Sequence, residues 1–528
     1  MISSKIRREL NVFLGLGLFA TLLLFFVSSD SYTHDLYNKV DSAWFYMCGK
    51  AWFEGLTPYV DFADSKGPLL WLIYGVGYLL NPYNYLGIFW ITCLWYSFIL
   101  YFTYKTALIF LNDTRRSIIC AVLMSCCYLH TWYHNEVRAE DFALLFMVIS
   151  LYAVCRMFYG ELSNKRVRNG LMFALGVSCS ALFLIKFNLA LMQFGFILVA
   201  IYYIIHNRLG IKPILWIIIG GITLLVPFAI YFVAEGNLVP FLQEYILNTV
   251  QTVSGDGPDN SIIKNYIFTV LYHFIDKDKA FEIALIAISL LGAALMAKRV
   301  KEYKYIPLFG ICYVFAVNFI HLQYYSCALC TFCLMFFVVW FISEFKVFSR
   351  TIPAILIIGA MFSFEVVATL LSSNYNMLYR PTFWCDNVEQ KAFYDMNYII
   401  EQIERPTLLN AACYEYGVGI MSQTLPACKY WALQNGATQH MKDDQRQCIL
   451  TQRADFVYVH LLNELKEIEL TIADILDAGY NECYRWIDGT KQEHILLTKH
   501  QVQLPPDNLN ITIKDVLTKR TDFYWLTK

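Results

Sequence analysis

Charged side chains are scarce in this sequence. Asp, Glu, Lys and Arg make up 16% of its 528 residues, whereas soluble globular chains carry about 25%. The deficit lies in long apolar stretches between residues 10 and 371, while residues 372–528 have an ordinary composition. The net charge of −1 gives no global field to attract nucleic acid. The composition therefore predicts a membrane protein that does not bind nucleic acid.

Three common catalytic motifs are also missing. The sequence has no GxxxxGK[ST] loop, no HExxH pair and no GxSxG elbow, which excludes the usual ATP-driven pump, zinc peptidase and serine hydrolase. Carboxylates outside the membrane are suitable ligands for a divalent ion, but no metal is assigned from the sequence.

Apolar runs of spanning length dominate the first 371 residues. The run after Lys5, Arg7 and Arg8 lacks a small-residue cleavage site, so we interpret it as a retained first helix rather than a signal peptide. Alternate connections are basic, which places the N-terminus in the cytoplasm and the tail outside. The predicted spans are 10–28, 85–111, 117–131, 141–159, 169–186, 189–206, 212–234, 280–297, 304–320, 325–343 and 351–371.

One apolar segment, Gly67 to Leu80, is too short to span and is predicted to be a helix at the outer face. Two large outer loops follow from this count, residues 29–66 and 235–279. The second contains a flexible, turn-rich stretch at 254–260. The sequence thus predicts an α-helical polytopic membrane protein with about eleven transmembrane helices, formed by residues 1–371, and a soluble extracytoplasmic α/β domain formed by residues 372–528.

Strand and helix patterns in the tail support that α/β domain. Thr407–Ala411 and Asp455–Val459 are predicted to be buried strands, and Leu465–Leu476 has helical periodicity. Cys483–Ile487 and His494–Thr498 flank Asp488-Gly489, which is typical of a hairpin. Five of the 16 cysteines lie in the tail. Some are free to pair if the tail is extracytoplasmic, but no connectivity is assigned.

Charged residues in the first outer loop are the leading candidates for chemistry. They lie among aromatic and apolar side chains, where a carboxylate can retain a raised pKa and act as a base. A lysine there suits a phosphate or carboxylate partner. The alternative is a solvated loop with a Pro-Tyr turn. The residues are Asp41, Asp61, Asp64 and Lys66.

This loop resembles the first periplasmic loop of GT-C membrane glycosyltransferases. The resemblance is to the bacterial family 39 group, which is related to protein O-mannosyltransferases and to the aminoarabinose transferase of lipid A. Those proteins have an acidic residue after the first span, a Gly-x-x-Pro-Tyr-x-Asp-like stretch and an Asp/Glu-x-Lys-Gly/Pro-Pro-Leu-Leu motif. The matching positions are Asp41, Gly55 to Asp61, and Asp64 to Leu70.

A second cluster precedes the fourth span. Arg138, Glu140 and Asp141 lie at a predicted helix N-terminus, where the dipole favours anions; a helix cap with interfacial charges is the alternative. The family has its second acidic motif at this place. Lys186, in an otherwise apolar run, is a functional candidate or a lysine that reaches the headgroups. The family often has Lys-Pro-Asn there, whereas this chain has Phe187 instead of Pro.

His321 and Tyr324 form a fourth candidate, between spans nine and ten. They resemble a His-Tyr motif of the family, although His and Tyr are also common at membrane interfaces.

The resemblance implies an inverting transfer from a polyprenyl-phosphate-linked sugar to a glycan, lipid or protein, in a bacterial inner membrane at its periplasmic face. Asp41 would be the general base, and Asp64, Glu140 or Asp141 would orient acceptor or sugar. Lys66, Arg138 and Lys186 would bind the lipid phosphate. The alternatives are a flippase of lipid-linked sugars, which would carry charges at mid-membrane, and a non-catalytic receptor that binds through its tail.

Overall fold

The computed structural model forms two compact units. The first comprises Met1–Ser28, Thr92–Tyr231 and Val253–Leu371, and the second comprises Ser29–Ile91, Phe232–Thr252 and Ser372–Lys528. The structure describes residues 4–31, 40–128, 136–160, 164–248, 280–299, 331, 334–372, 387–415, 417–433, 437–460, 464–487 and 493–506.

Helices account for nearly all the described structure before residue 372. A π-helical turn, Leu242–Leu247, follows the tenth helix directly. In chain order the helices are α1 (Ser4–Val27), α2 (Asp41–Phe53), α3 (Pro68–Leu80), α4 (Leu86–Leu111), α5 (Thr114–Tyr128), α6 (Ala139–Tyr159), α7 (Lys165–Ile185), α8 (Phe187–His206), α9 (Lys212–Ala234), α10 (Leu238–Phe241), α11 (Ala280–Arg299), α12 (Met335–Glu344) and α13 (Thr351–Ser372).

Seven helices in the described residues are long and apolar enough to cross a membrane. They are α1, α4, α6, α7, α8, α9 and α13, which confirms the prediction of a polytopic helical membrane protein. Helix α5 has the same length as its predicted span but begins and ends three residues earlier, and α11 covers the predicted span 280–297. The predicted span 325–343 lies partly outside the described residues, and α12 covers most of the part that is described. The predicted span 304–320 lies outside the described residues.

The first unit is built around α6, α7 and α8, which pack against one another. Their contact contains the buried side chains of Ala143, Met147, Leu182 and Leu189. A break at Lys186, whose φ of −158° is extended, separates α7 from α8. The two helices therefore meet at a polar residue, as the two apolar runs predict.

The second unit contains a helix that the sequence analysis missed. Residues 41–53 were interpreted as part of an outer loop, but they form α2, in which every residue from Ser42 to Ala51 is buried. Helix α2 packs on α3, the predicted short helix. The backbones come close at Gly49, where an added Cβ would lie 2.5 Å from the amide nitrogen of Gly75. Glycine is required for this approach.

The tail folds into the predicted α/β domain. Its strands β1 (Thr407–Asn410), β2 (Leu425–Pro426), β3 (Phe456–Val459), β4 (Asn481–Ile487) and β5 (Glu493–Thr498) form one sheet in the order β2-β1-β3-β5-β4. Strand β1 runs parallel to β2 and β3, whereas β5 is antiparallel to β3 and β4. Its helices are α14 (Asn387–Ile400), α15 (Val418–Met421), α16 (Gln439–Leu450) and α17 (Ile472–Asp477).

One local prediction for the tail was wrong. Residues 465–476 do not form one helix but a 3-10 turn, Glu464–Ile468, followed by α17. Glu469 has a φ of +55°, which ends the turn, and Thr471 starts a new helix by accepting from the backbone nitrogen of Asp474. The strands predicted at residues 407, 455, 483 and 494 are confirmed within one or two residues, and Asp488-Gly489 lies outside the described residues.

Cysteines in the described part of the tail are all free thiols, namely Cys413, Cys428, Cys448 and Cys483. Cys385 lies outside that part. The domain boundary predicted at residues 371 and 372 stays a prediction, because residues 373–386 are not described either.

Candidate functional site

Asp41 is the first residue of α2. The helix dipole favours a carboxylate in the first turn, and the side chain is partly exposed, whereas the ten residues that follow it are buried. The burial of the residues that follow Asp41 fixes the backbone from which its side chain projects.

Asp64 has an incomplete set of hydrogen bonds. Its side chain is 2% exposed, and Oδ1 accepts from the Ser65 backbone nitrogen at 2.6 Å. Lys66 Nζ lies 3.7 Å from the same oxygen. The other oxygen, Oδ2, is buried and has no hydrogen-bond partner among the described residues. A buried carboxylate oxygen without a donor is costly, so this position is suited to a donor from a ligand.

Lys66 is only loosely held by Asp64. Its Nζ lies 5.5 Å from the ring centroid of Phe45 and donates to Ser65 Oγ at 3.2 Å. The Lys66 carbonyl accepts from the buried hydroxyl of Tyr59 at 2.9 Å. The backbone is thus fixed while the ammonium group keeps capacity for an anion. We call Asp41, Asp64 and Lys66 the outer-loop group; all three belong to the second unit.

Asp61 has a different, structural position. It is exposed, and its Oδ2 accepts from the Thr57 backbone nitrogen at 2.7 Å, which closes the turn around Pro58. Of the four charged residues singled out in this loop, Asp61 is the most exposed.

Glu140 and Lys186 form a short ion pair in the first unit. Lys186 Nζ lies 2.7 Å from Glu140 Oε1, and the two side chains are 14% and 5% exposed. The pair joins the start of α6 to the break between α7 and α8. Two candidates from different parts of the sequence are therefore neighbours, and each largely neutralises the other.

Asp141 and Arg138 are likewise engaged. Asp141 Oδ2 accepts from the Arg138 backbone nitrogen at 2.8 Å, which caps α6, and its Oδ1 accepts from the Tyr96 hydroxyl at 2.7 Å. The Arg138 guanidinium pairs with Glu136 Oε1 at 3.3 Å. We call Arg138, Glu140, Asp141 and Lys186 the α6 group; all belong to the first unit.

Two partners in the α6 group were missed by the sequence analysis. Tyr96 lies in an apolar helix 45 residues before Asp141, so no local pattern marks it. Glu136 lies two residues before Arg138, and this spacing was available in the sequence as a signal.

The remaining predicted candidates are not part of the described structure. His321, Tyr324 and the loop 254–260 lie outside the described residues. Within the ranges that are described, no group of three or more His, Cys, Asp or Glu side chains has the arrangement to hold a metal ion.

No protein-family model and no curated protein matches this sequence. Among solved structures, the chain is similar to ArnT from Cupriavidus metallidurans bound to undecaprenyl phosphate, with 9% identity, 94% of this chain and 99% of that chain covered, and a TM-score of 0.44. The apo state of the same ArnT has a TM-score of 0.45, with the same identity and coverage.

An oligosaccharyltransferase from Archaeoglobus fulgidus, tethered to an acceptor peptide, is similar at 10% identity and a TM-score of 0.44. That similarity covers 96% of this chain and 74% of the other. These likenesses are too distant to assign an activity or a substrate to this chain.

Proposed function

We propose that this protein is a membrane glycosyltransferase that transfers a sugar from a polyprenyl-phosphate donor to an acceptor hydroxyl. The observation that carries the proposal is Asp64, a buried carboxylate with one oxygen that lacks a donor from the described residues, beside Lys66. Both lie in the segment of the sequence that resembles the GT-C family 39 loop. Acceptor hydroxyl and lipid phosphate are the ligand groups that complete such a pair.

The proposed reaction is an inverting displacement. Asp41 takes the proton of the acceptor hydroxyl, and the acceptor oxygen bonds to the anomeric carbon from the side opposite the phosphate. The bond between that carbon and the phosphate oxygen breaks, and polyprenyl phosphate leaves as an anion. No cofactor enters this balance.

Asp64 orients the acceptor in this scheme, because its Oδ2 has capacity for a hydroxyl donor while Oδ1 is already bonded. Lys66 stabilises the leaving phosphate. Its ammonium group is available for this role, because its 3.7 Å contact to Asp64 is long for an ion pair. A cation is most effective where charge develops in the transition state.

The α6 group requires a change of partner before it binds phosphate. Lys186 is neutralised by Glu140 at 2.7 Å and Arg138 by Glu136 at 3.3 Å. Binding of the lipid phosphate by Lys186 and Arg138, and of the sugar by Glu140 or Asp141, therefore stays a prediction of the resemblance. Lys66 is the cation that needs the least rearrangement.

The proposal places the protein in a bacterial inner membrane, with the N-terminus in the cytoplasm and the reaction at the periplasmic face. The basic connections between the apolar runs support this orientation. The proposed acceptor is a hydroxyl group of a glycan, a lipid or a protein.

The test is transfer by purified protein in nanodiscs from a panel of radiolabelled polyprenyl-phosphate sugars. Asp41→Asn is expected to lower kcat by about 10²–10⁴-fold, the usual contribution of a general base. Asp64→Asn is expected to raise the acceptor KM. The amide NH2 group of Asn is a donor, whereas the carboxylate oxygen that it replaces accepts a hydrogen bond from the acceptor hydroxyl.

Asp477→Asn is the matched control, since Asp477 is an exposed carboxylate at the end of α17. It should transfer at the wild-type rate. Full activity of Asp41→Asn would remove the base assignment, and movement of the lipid-linked sugar without any bond formed would replace the transferase with a flippase.

A further inference from the structure

Helix α2 is packed against the C-terminal domain, within the second unit. It contacts β2 and α15. The ring of Trp44 lies 5.4 Å from that of Trp431, between centroids. At Gly419 an added Cβ would lie 2.7 Å from Met47 Cε. The helix that begins with Asp41 is thus seated on the tail by close apolar contact.

Lys50 adds a polar link to this contact. Its side chain is buried at 1% exposure, and Nζ donates to the Gly419 carbonyl oxygen at 3.2 Å. Burial lowers the pKa of Lys50 to about 7, although the nearby carboxylates of Glu54 and Glu415 act to raise it. A buried ammonium group destabilises the protein unless a hydrogen bond or an opposite charge compensates it.

Glu415 supplies that compensation from the tail. It is fully buried, and its carboxylate accepts from the backbone nitrogens of Gly417 at 2.8 Å and Gly419 at 3.2 Å. The Asn410 side chain donates at 2.6 Å. Burial raises the pKa of Glu415, while these hydrogen bonds and Lys50 oppose the rise.

We propose that Lys50 is a positioning residue, whose ammonium group on the Gly419 carbonyl and near Glu415 fixes α2, and with it Asp41, on the C-terminal domain. Lys50 lies nine residues after Asp41, which is ~14 Å along a rigid helix. A small displacement of a catalytic group is enough to reduce its rate substantially. The role in catalysis rests on the proposed function, but the link between α2 and the tail does not.

The link depends on pH in a defined direction. Lys50 is charged below about pH 7, and a charged donor makes the stronger hydrogen bond. The charged groups that face it are Glu54, which also accepts from Tyr78, and Glu415. The kcat of the wild type is therefore expected to fall as pH rises above about 7.

The kinetics of two variants of Lys50 test the proposal. Lys50→Met should lower kcat about tenfold at pH 6 with the acceptor KM within about twofold, because substrate contacts are unchanged. It should also lose the decline in kcat above pH 7. Lys50→Arg keeps its charge at all pH values and should restore kcat at high pH. Wild-type kcat and pH profile in Lys50→Met would overturn the proposal.

Glu415→Gln provides a second variant if Lys50→Met does not fold. It retains an oxygen acceptor for Gly417 and Gly419 but removes the charge that raises the pKa of Lys50. The decline in kcat should then begin at lower pH than in the wild type. An unchanged pH profile would overturn the proposal.

Amide hydrogen exchange separates this proposal from the proposed function. In Lys50→Met, residues 41–53 and 417–421 should both exchange about fivefold faster, whereas Lys466→Met, at an exposed lysine of the same domain, should change neither. If the wild type transfers no sugar but both segments respond, the link stands and the transferase fails. If neither segment responds, the link is overturned.

Discussion

Asp64 and Glu140 are both buried carboxylates beside a lysine, yet their surroundings differ. The Lys186 ammonium lies 2.7 Å from Glu140, whereas the Lys66 ammonium lies 3.7 Å from Asp64 and one Asp64 oxygen lacks a donor from the described residues. Removing one partner of a closed pair destabilises the protein, because it leaves a buried charge without compensation. An open pair retains capacity for a ligand. We therefore interpret the Glu140–Lys186 pair as structural and the Asp64–Lys66 pair as a candidate for ligand binding.

Removing the lysine of the closed pair should give the largest loss of stability. Lys186→Met leaves Glu140 buried without its cation, which costs about 3–5 kcal/mol. The measurement is the thermal unfolding midpoint in detergent. The double variant with Glu140→Gln should regain most of the loss, because the orphaned charge is gone. A single variant as stable as the wild type would show that the pair is not closed.

Removing the lysine of the open pair should act on the substrate instead. Lys66→Met is expected to raise the donor KM about tenfold, equivalent to ~1.4 kcal/mol, since a charged contact to phosphate is lost. Its loss of stability should be smaller than that of Lys186→Met, because the lost contact is 3.7 Å long and Asp64 Oδ1 keeps its hydrogen bond from the Ser65 backbone nitrogen. The exposed Lys466→Met is the control for both quantities.

The two lysine variants are informative only as a pair. If Lys66→Met lowered stability by as much as Lys186→Met and left the donor KM unchanged, Asp64 and Lys66 would be a structural pair too. The open oxygen would then need another explanation.

Hydropathy predicts the membrane region well, because a span must be apolar along its whole length. The bounds of α4 and α9 agree with the predicted 85–111 and 212–234 within one residue. The break at Lys186 was also predicted, since two apolar runs end there. Such features can be predicted because each depends on one continuous stretch of the sequence.

Helix α2 was not predicted, and the reason is its burial. A helix buried on all sides has no polar face, so residues 42–51 show no amphipathic period. The helix also contains residue types that are common in loops, namely Asp41, Gly49 and Lys50. Its position depends on contacts such as Lys50 with Gly419, which are 369 residues apart in sequence, and no local pattern encodes them.

The candidate site was partly predictable for the same reason. Residue types and motif spacing identified Asp64, Lys66, Glu140 and Lys186, but the sequence did not indicate which lysine is closely paired. Pairing depends on where the backbone places each side chain, and the partners Glu140 and Lys186 are 46 residues apart.

Asp455 differs from Asp64, because both of its carboxylate oxygens have hydrogen-bond partners. His500 Nε2 lies 2.8 Å from Oδ1, and Thr407 donates to Oδ2 from its backbone nitrogen and hydroxyl at 3.0 and 2.7 Å. Although burial acts to raise it, these hydrogen bonds and one from Lys499 lower the pKa of Asp455 to about 2. Asp455 therefore has no capacity for a ligand and should contribute only to stability.

That contribution gives the smallest expected effect and a defined pH window. Because the folded-state pKa is below the unfolded value, the stabilisation is complete above pH ~4 and is lost as pH falls through about 2. Allowing for partial exposure, Asp455→Asn should cost ~1 kcal/mol at pH 5, measured as faster amide exchange in β1 and β3. The difference from wild type should shrink toward pH 2, whereas Asp477→Asn should show none at either pH. A difference that stayed constant with pH would mean that the shape of the side chain matters at this position and its charge does not, and Asp455 would no longer serve as the saturated reference for Asp64.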